Sequence, residues 1–252
     1  METQRIEGSV ALVTGANRGL GRALTEALLI RGARKVYATA RDPGAITIQG
    51  DARLIPLRLD VTDQDQIREV AELASDVELL FSNAGVALPG GIADSTALEH
   101  ARREIEVNYL GPLRLLHHLA PSLAKNGGGA VVNIGSIGGL TSLPLAPTYS
   151  ASKAALHSLT QAARALLRAQ GTAVVGVYPG PVDTDMAREL AEPKASPRDV
   201  AFAILDGLDT GHEDIFPDAF AAKFARQFAA SPKESERRMA ATISAMVWGP
   251  TA

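Results

Sequence analysis

Tyr149 and Lys153, four apart in Tyr149-Ser150-Ala151-Ser152-Lys153, could together move a proton. At that spacing the two side chains share one face of a helix. A free phenol titrates at about pH 10, too high to exchange protons readily at neutrality. A Lys ammonium within several ångströms favours the phenolate, so the pairing predicts a Tyr149 pKa drawn down toward working pH. Thirteen residues before Tyr149, Ser136 follows an apolar run at 130–134. At the end of a strand its hydroxyl can donate to an oxygen on which negative charge develops. An acid, its activator and a donor for a nascent alkoxide suit protonation of a carbonyl oxygen. A Tyr and a Lys four apart are also what an exposed helical pair looks like, so the assignment depends on what surrounds them.

A second group of residues suits a different task. Thr14-Gly15-Ala16-Asn17-Arg18-Gly19-Leu20-Gly21 follows the first apolar run and opens a helical pattern. Glycines at this spacing allow a sharp turn and a close backbone approach to a pyrophosphate, with the first N–H groups of the helix facing the anion. A glycine cluster has this meaning only between a strand and a helix, and both are expected here. The residues read as cofactor contacts are Gly15, Asn17, Arg18, Gly19, Leu20 and Gly21.

An NAD site carries an acid about 20 residues past the glycines to bond the ribose 2′-hydroxyl. Arg41 stands there instead, after Thr39-Ala40, with Asp42 behind it. A guanidinium binds a 2′-phosphate with paired hydrogen bonds, whereas a carboxylate repels it. Arg41, with Arg18 as a second cation, therefore points to NADP(H), although Asp42 argues the other way.

Short apolar runs at 10–13, 35–39, 54–57, 77–81, 130–134, 173–177 and 214–216 alternate with helical stretches at 19–31, 63–73, 97–124 and 149–170. The early runs are continuous, as in strands covered on both faces. The pattern predicts an α/β fold, a doubly wound parallel seven-stranded sheet with helices on both faces. No repeat or linker divides the 252 residues, so one domain is expected.

Composition narrows the function classes. Hydrophobic residues make up 46 % and charged residues 21 %, close to the globular average. A net charge of −3 gives no electrostatic drive toward nucleic acid or anionic membranes. Without cysteine, thiol catalysis and thiolate metal sites are excluded, and the five histidines show no zinc spacing. The polar start and the absence of a long apolar run lead us to expect a cytoplasmic protein with no membrane partner. Ser136, in Ile134-Gly135-Ser136-Ile137-Gly138, lacks the glycine two residues before the serine that a hydrolase elbow uses. Gly127-Gly128-Gly129 reads as a helix-to-strand turn.

In order along the chain stand the glycine loop, Ser82-Asn83-Ala84-Gly85, Asn108 in Val107-Asn108-Tyr109, Ser136, the Tyr149–Lys153 segment and Pro179-Gly180-Pro181-Val182-Asp183-Thr184. This series resembles the short-chain dehydrogenase/reductase family over roughly residues 8–216. The resemblance implies one Rossmann-like domain and nicotinamide-dependent hydride transfer, with hydride reaching a carbonyl carbon as Tyr149 protonates the oxygen. It implies Tyr149 as acid/base, Lys153 as its activator and a ribose contact, Ser136 as carbonyl binder and Asn108 in a proton relay. It also implies that Val182 and Thr184, in the Pro179-Gly180 segment, bond the carboxamide. Asp60 and Val61 would contact adenine, and Asn83, Ala84 and Gly85 would line the cofactor. Ser82 departs from the second Asn that many members carry.

The expected activity is NADPH-dependent reduction of ketones or aldehydes, reversible with alcohols. The alternative is a non-catalytic nucleotide-binding or sensing protein on the same scaffold. Residues 184–197 predict a short lid, helical only over 185–191 before Pro193 and Pro197, and hence an open, tolerant pocket. The tail, 217–252, reads as helical, with Phe220, Phe224 and Phe228 on one packing face and Trp248 near its end. Family resemblance implies a homotetramer or homodimer through helices 108–124 and 149–170, the second rich in alanine.

Overall fold

The computed structural model describes residues 5–48, 50–88, 90–190 and 193–247. Seven strands form one parallel sheet: β1 (Val10–Thr14), β2 (Lys35–Ala40), β3 (Leu54–Arg58), β4 (Leu79–Ser82), β5 (Ala130–Ile134), β6 (Ala173–Val177) and β7 (Asp214–Ile215). Their spatial order is β3-β2-β1-β4-β5-β6-β7. The order reverses between β1 and β4, and ligands of open α/β sheets bind outside the carboxyl ends of strands at such a point.

Alternation along the buried strands explains the two helical layers. Ala11 and Val13 of β1 face one side, together with Val36, Phe81 and Val132. There they meet Leu24 and Leu28 of α1 (Gly19–Ile30) and Ile204 and Leu208 of α6 (Pro197–Asp209). Val10 and Leu12 face the other side, with Leu80, Val131 and Val174. That face is covered by Ile67 and Val70 of α2 (Gln64–Leu73), Leu115 and Leu119 of α4 (Gly111–Lys125) and Ala163 of α5 (Pro147–Leu167). Each buried Leu or Phe contributes about 1.5–3 kcal/mol, so both layers are well secured.

Local chemistry sets the ends of the elements. Asp63 caps α2 by accepting from the Asp65 and Gln66 N–H groups, and Ser196 caps α6 with Pro197 in the first turn. The three glycines before β5 all have positive φ, and a Cβ on Gly129 would fall 1.9 Å from the Glu78 carbonyl oxygen. They form the helix-to-strand turn expected from the sequence.

The stretch read as one helix over 97–124 is interrupted. It consists of α3 (Ala97–Ile105), a π-helical turn over Glu106–Leu110, and α4. After β6 the expected helix at 185–191 is reduced to a single 3₁₀ turn, Asp185–Ala187, and Ala191 lies outside the described residues. The tail forms α7 (Ala219–Ala230) and α8 (Pro232–Val247), while Trp248 also lies outside them. Among the described residues no helix is long and apolar enough to cross a membrane.

Candidate active site

The candidate residues gather at the carboxyl ends of the strands. Thr14 ends β1, and its hydroxyl oxygen accepts from the N–H groups of Asn83 and Ala84, each at 2.9 Å. The Asn83 amide returns a bond to the Thr14 carbonyl at 2.8 Å. Asn83 thus braces β1 against β4 at the switch point. The Ser82 hydroxyl is buried with no hydrogen-bond partner.

The glycine loop is shaped for close approach. A Cβ on Gly21 would fall 2.2 Å from the Gly15 carbonyl oxygen, so the turn cannot hold a side chain there. The N-terminus of α1 has no side-chain cap and no acid in its first turn. Its unsatisfied N–H groups and positive dipole end suit an anion. Thr184 approaches from the turn after β6, its methyl 3.1 Å from where a Gly19 Cβ would stand.

Arg41 follows β2, exposed, with no hydrogen bond or ion pair among the described residues. It lines a cleft of about 480 Å³ with Arg58, Asp60, Thr62, Asp63 and Gln66. Arg58 ends β3 in register with Ala40, which puts a second guanidinium beside the first. Burial alone would raise the Asp60 carboxyl, but hydrogen bonds from Thr62 and the charges of Arg103 and Arg41 hold it below the usual range. Asp42 turns away to accept from the Gly44 N–H at 3.0 Å. Arg18, expected as the second phosphate cation, instead pairs with Asp185 of the lid at 2.6 Å. A bare helix N-terminus, a loop without side chains and two uncommitted guanidinium groups fit a phosphorylated dinucleotide.

Deeper in, α5 carries Tyr149 and Lys153 toward the end of β5. The Ser136 hydroxyl accepts from the Gly138 N–H at 3.0 Å and acts on the Tyr149 phenol, favouring its ionised form. The Lys153 ammonium lies 5.8 Å from the phenol ring centre and donates to the Ile134 carbonyl at 2.7 Å. Burial pulls its pKa down to about 8. The expected lowering of the Tyr149 pKa is not found. Burial pushes it up to about 12, Ser136 opposes that rise, and the negative charge of Glu104 adds to it. Desolvation wins because the ammonium is directed at a backbone carbonyl and not at the phenol oxygen.

Asn108 is fully buried inside the π turn. Its oxygen accepts from Val86 N–H at 2.9 Å, and its amide donates to the Val86 carbonyl at 2.8 Å and the Ser152 hydroxyl at 2.9 Å. Both amide N–H donors of Asn108 are thereby engaged, and its oxygen keeps one lone pair. Ser152 in turn donates to the Tyr149 carbonyl at 2.7 Å, joining α5 to Asn108. This role of Ser152 was visible in the sequence only as a second small polar residue between Tyr149 and Lys153. Arg58 was missed because its neighbour across the sheet cannot be read from spacing.

The turn after β6 closes the site on another side. Asp183 N–H donates to Ala195 and Ala195 N–H to Pro181, both at 2.9 Å, pinching the lid at its base. Val182 pairs with Ala195 in the same bridge. A cleft of about 590 Å³ remains open between the lid and α1, lined by Gly19, Thr184, Asp185 and Arg188 among others. The Gly180 N–H donates at 2.8 Å to Asp218, which also caps α7. Phe224 and Phe228 stack at 5.7 Å and pack with Tyr178 and Ile137, so the Phe row is structural, while Phe220 is 40 % exposed. Among the histidines, His157 bonds the Tyr178 hydroxyl at 2.7 Å. No cluster that could hold a metal occurs among the described residues.

A family model described as short chain dehydrogenase matches residues 9–195. An uncharacterized oxidoreductase of Staphylococcus saprophyticus is 31 % identical, the match covering 81 % of this chain and 92 % of that one. A short chain dehydrogenase from Burkholderia cenocepacia, solved in complex with NADP, is 40 % identical with a TM-score of 0.89, covering 93 % of this chain and 98 % of that one. A short chain dehydrogenase/reductase from Burkholderia phymatum, solved with NAD, is 27 % identical with a TM-score of 0.78, covering 88 % and 93 %.

Proposed function

The chain belongs to the short-chain dehydrogenase/reductase family, and from that premise we propose that it is an NADPH-dependent reductase of ketones or aldehydes, reversible with the corresponding alcohols. The observation that carries this reading is the convergence of Ser136, Tyr149 and Lys153 beside the glycine loop. When bound, NADPH supplies the hydride. Gly15, Asn17, Gly19, Leu20 and Gly21 hold its pyrophosphate, Arg41 and Arg58 its 2′-phosphate, and Asp60 and Val61 its adenine. Asn83, Ala84 and Gly85, with Pro179, Gly180, Val182 and Thr184, line the nicotinamide half. Ser136 orients the substrate oxygen and Tyr149 protonates it, with Lys153 on the ribose. One domain carries both tasks. The exposed Ala151, Ala154, Ala162 and Ala165 of α5 offer a smooth face for a homodimer or homotetramer.

The test is a panel of aliphatic, aromatic and bicyclic carbonyl compounds, followed by loss of NADPH absorbance. Turnover of at least one class is expected. NADPH binding without turnover of any of them would favour a nucleotide-binding protein instead.

The short lid, reduced to one 3₁₀ turn, supports broad substrate tolerance. Because α8 packs on α7 and reaches the rest of the domain through Met239, in the cluster of Ile137 and Tyr178, removing residues 232–252 should leave the preference between large and small ketones unchanged. Loss of a pocket wall typically shifts discrimination by about 10-fold or more. Paired kcat/KM values for the truncated protein, with circular dichroism confirming its fold, decide the point. A shift of that size would make the tail part of the pocket.

A further inference from the structure

Glu104 is a carboxylate with no exposed surface, on α3 one turn before Asn108. One oxygen accepts from the Leu88 N–H at 2.8 Å, and the other has no partner. Asn108 grips Val86, two residues earlier, in the same way. Two side chains one helical turn apart therefore hold alternate residues of the segment that leaves β4 and walls the site. Helix α3 packs on α5, and the Glu104 carboxylate is close enough to act on the Tyr149 phenol. An unpaired buried charge costs several kcal/mol and persists only where the surroundings fix it.

We propose that Glu104 is a positioning residue of the catalytic centre, holding the pocket wall at Leu88 and setting a fixed negative charge beside the Tyr149–Ser136 pair. A negative charge there disfavours a second one on the phenol, so Tyr149 rests as a proton donor and the site is biased toward reduction. The other groups nearby do not cancel it. On α5 the Lys153 ammonium is directed at Ile134. On α3's own side Arg103 acts on Asp60, and the following π turn's Glu106 pairs with Arg114. In the loop before α3, Asp94 accepts from Gly91 N–H. Of these charges only Glu104 registers at the phenol.

The inference rests on Tyr149 as the proton donor, and two variants separate it from that reading. Glu104→Gln keeps an oxygen for Leu88 and removes the charge. An alkaline limb of kcat/KM governed by Tyr149 should move down by about one pH unit, whereas one governed by Lys153, whose lowering comes from burial, should stay. Tyrosinate absorbance, taken as the difference between each protein and its Tyr149→Phe counterpart, should show the same downward shift without any turnover. Glu104→Asp keeps the charge but shortens the reach, so KM should rise with the limb in place. An unmoved limb and an unmoved tyrosinate midpoint in Glu104→Gln overturn the role of Glu104 and leave the reductase reading standing. An unchanged KM in Glu104→Asp also overturns it, and this variant carries the test if the amide variant does not fold. If Tyr149→Phe turns over normally, it is the proton-donor reading that fails.

Discussion

Replacing Tyr149 with phenylalanine is expected to lower turnover about 100-fold or more, because positioned proton transfer contributes roughly 10²–10⁴-fold. The substitution removes one hydroxyl and keeps the ring, so packing on α5 and the bonds of Ser152 to Asn108 and to the Tyr149 carbonyl are preserved. NADPH affinity should be retained, since the proposed dinucleotide contacts lie on the loops after the strands and on Lys153, not on the Tyr149 hydroxyl. The pKa directions fix the pH dependence. With its pKa pushed up to about 12, Tyr149 is protonated throughout the neutral range, the form that reduction needs. Lys153, pulled down to about 8, is charged below that pH and loses its proton above it. Reduction should therefore hold steady through neutrality and begin to fall as pH rises past about 8. Steady-state rates from pH 6 to 10, beside a fluorescence titration of NADPH, test both parts (working range about 6–10). Near-normal turnover in Tyr149→Phe would end the assignment.

Much of this was legible in the chain, for identifiable reasons. The strands are continuous apolar runs because helices cover both faces, and each loop that carries chemistry follows such a run directly. What escaped depends on contacts between residues far apart in sequence. Arg18 meets Asp185 only after the lid folds across the glycine loop. Glu104 follows Arg102 and Arg103 in a charged stretch and reads as a solvated helix face, yet it is fully buried. The π turn at Glu106–Leu110 hides inside an apolar periodicity that one extra residue per turn barely disturbs. The direction of the Tyr149 shift was missed for a related reason. Spacing puts Lys153 on the same helix face but cannot show its ammonium bonded to Ile134.

The affinity for the cofactor phosphate should depend on Arg41. A charge-assisted hydrogen bond contributes about 1.5–3 kcal/mol, so Arg41→Ala should weaken NADPH roughly 10- to 150-fold. NADH, which has no 2′-phosphate, should bind the variant nearly as it binds the unaltered protein. Asp42, whose carboxylate would repel the phosphate, accepts from the Gly44 N–H at 3.0 Å. The structure also places a further cation beside Arg41. Arg18 is held by Asp185, whereas Arg58 shares the cleft with Arg41. Because Arg58 remains, the loss should sit at the lower end of that range in Arg41→Ala and deepen when Arg58 is removed as well. The double variant then separates one guanidinium from two. Calorimetric titration with NADPH, NADH and 2′,5′-ADP reads this directly, the last reporting the phosphate subsite without the nicotinamide. If the unaltered protein binds NADH more tightly than NADPH, or if 2′,5′-ADP is indifferent to both arginines, the cleft serves some other purpose and the NADP assignment falls.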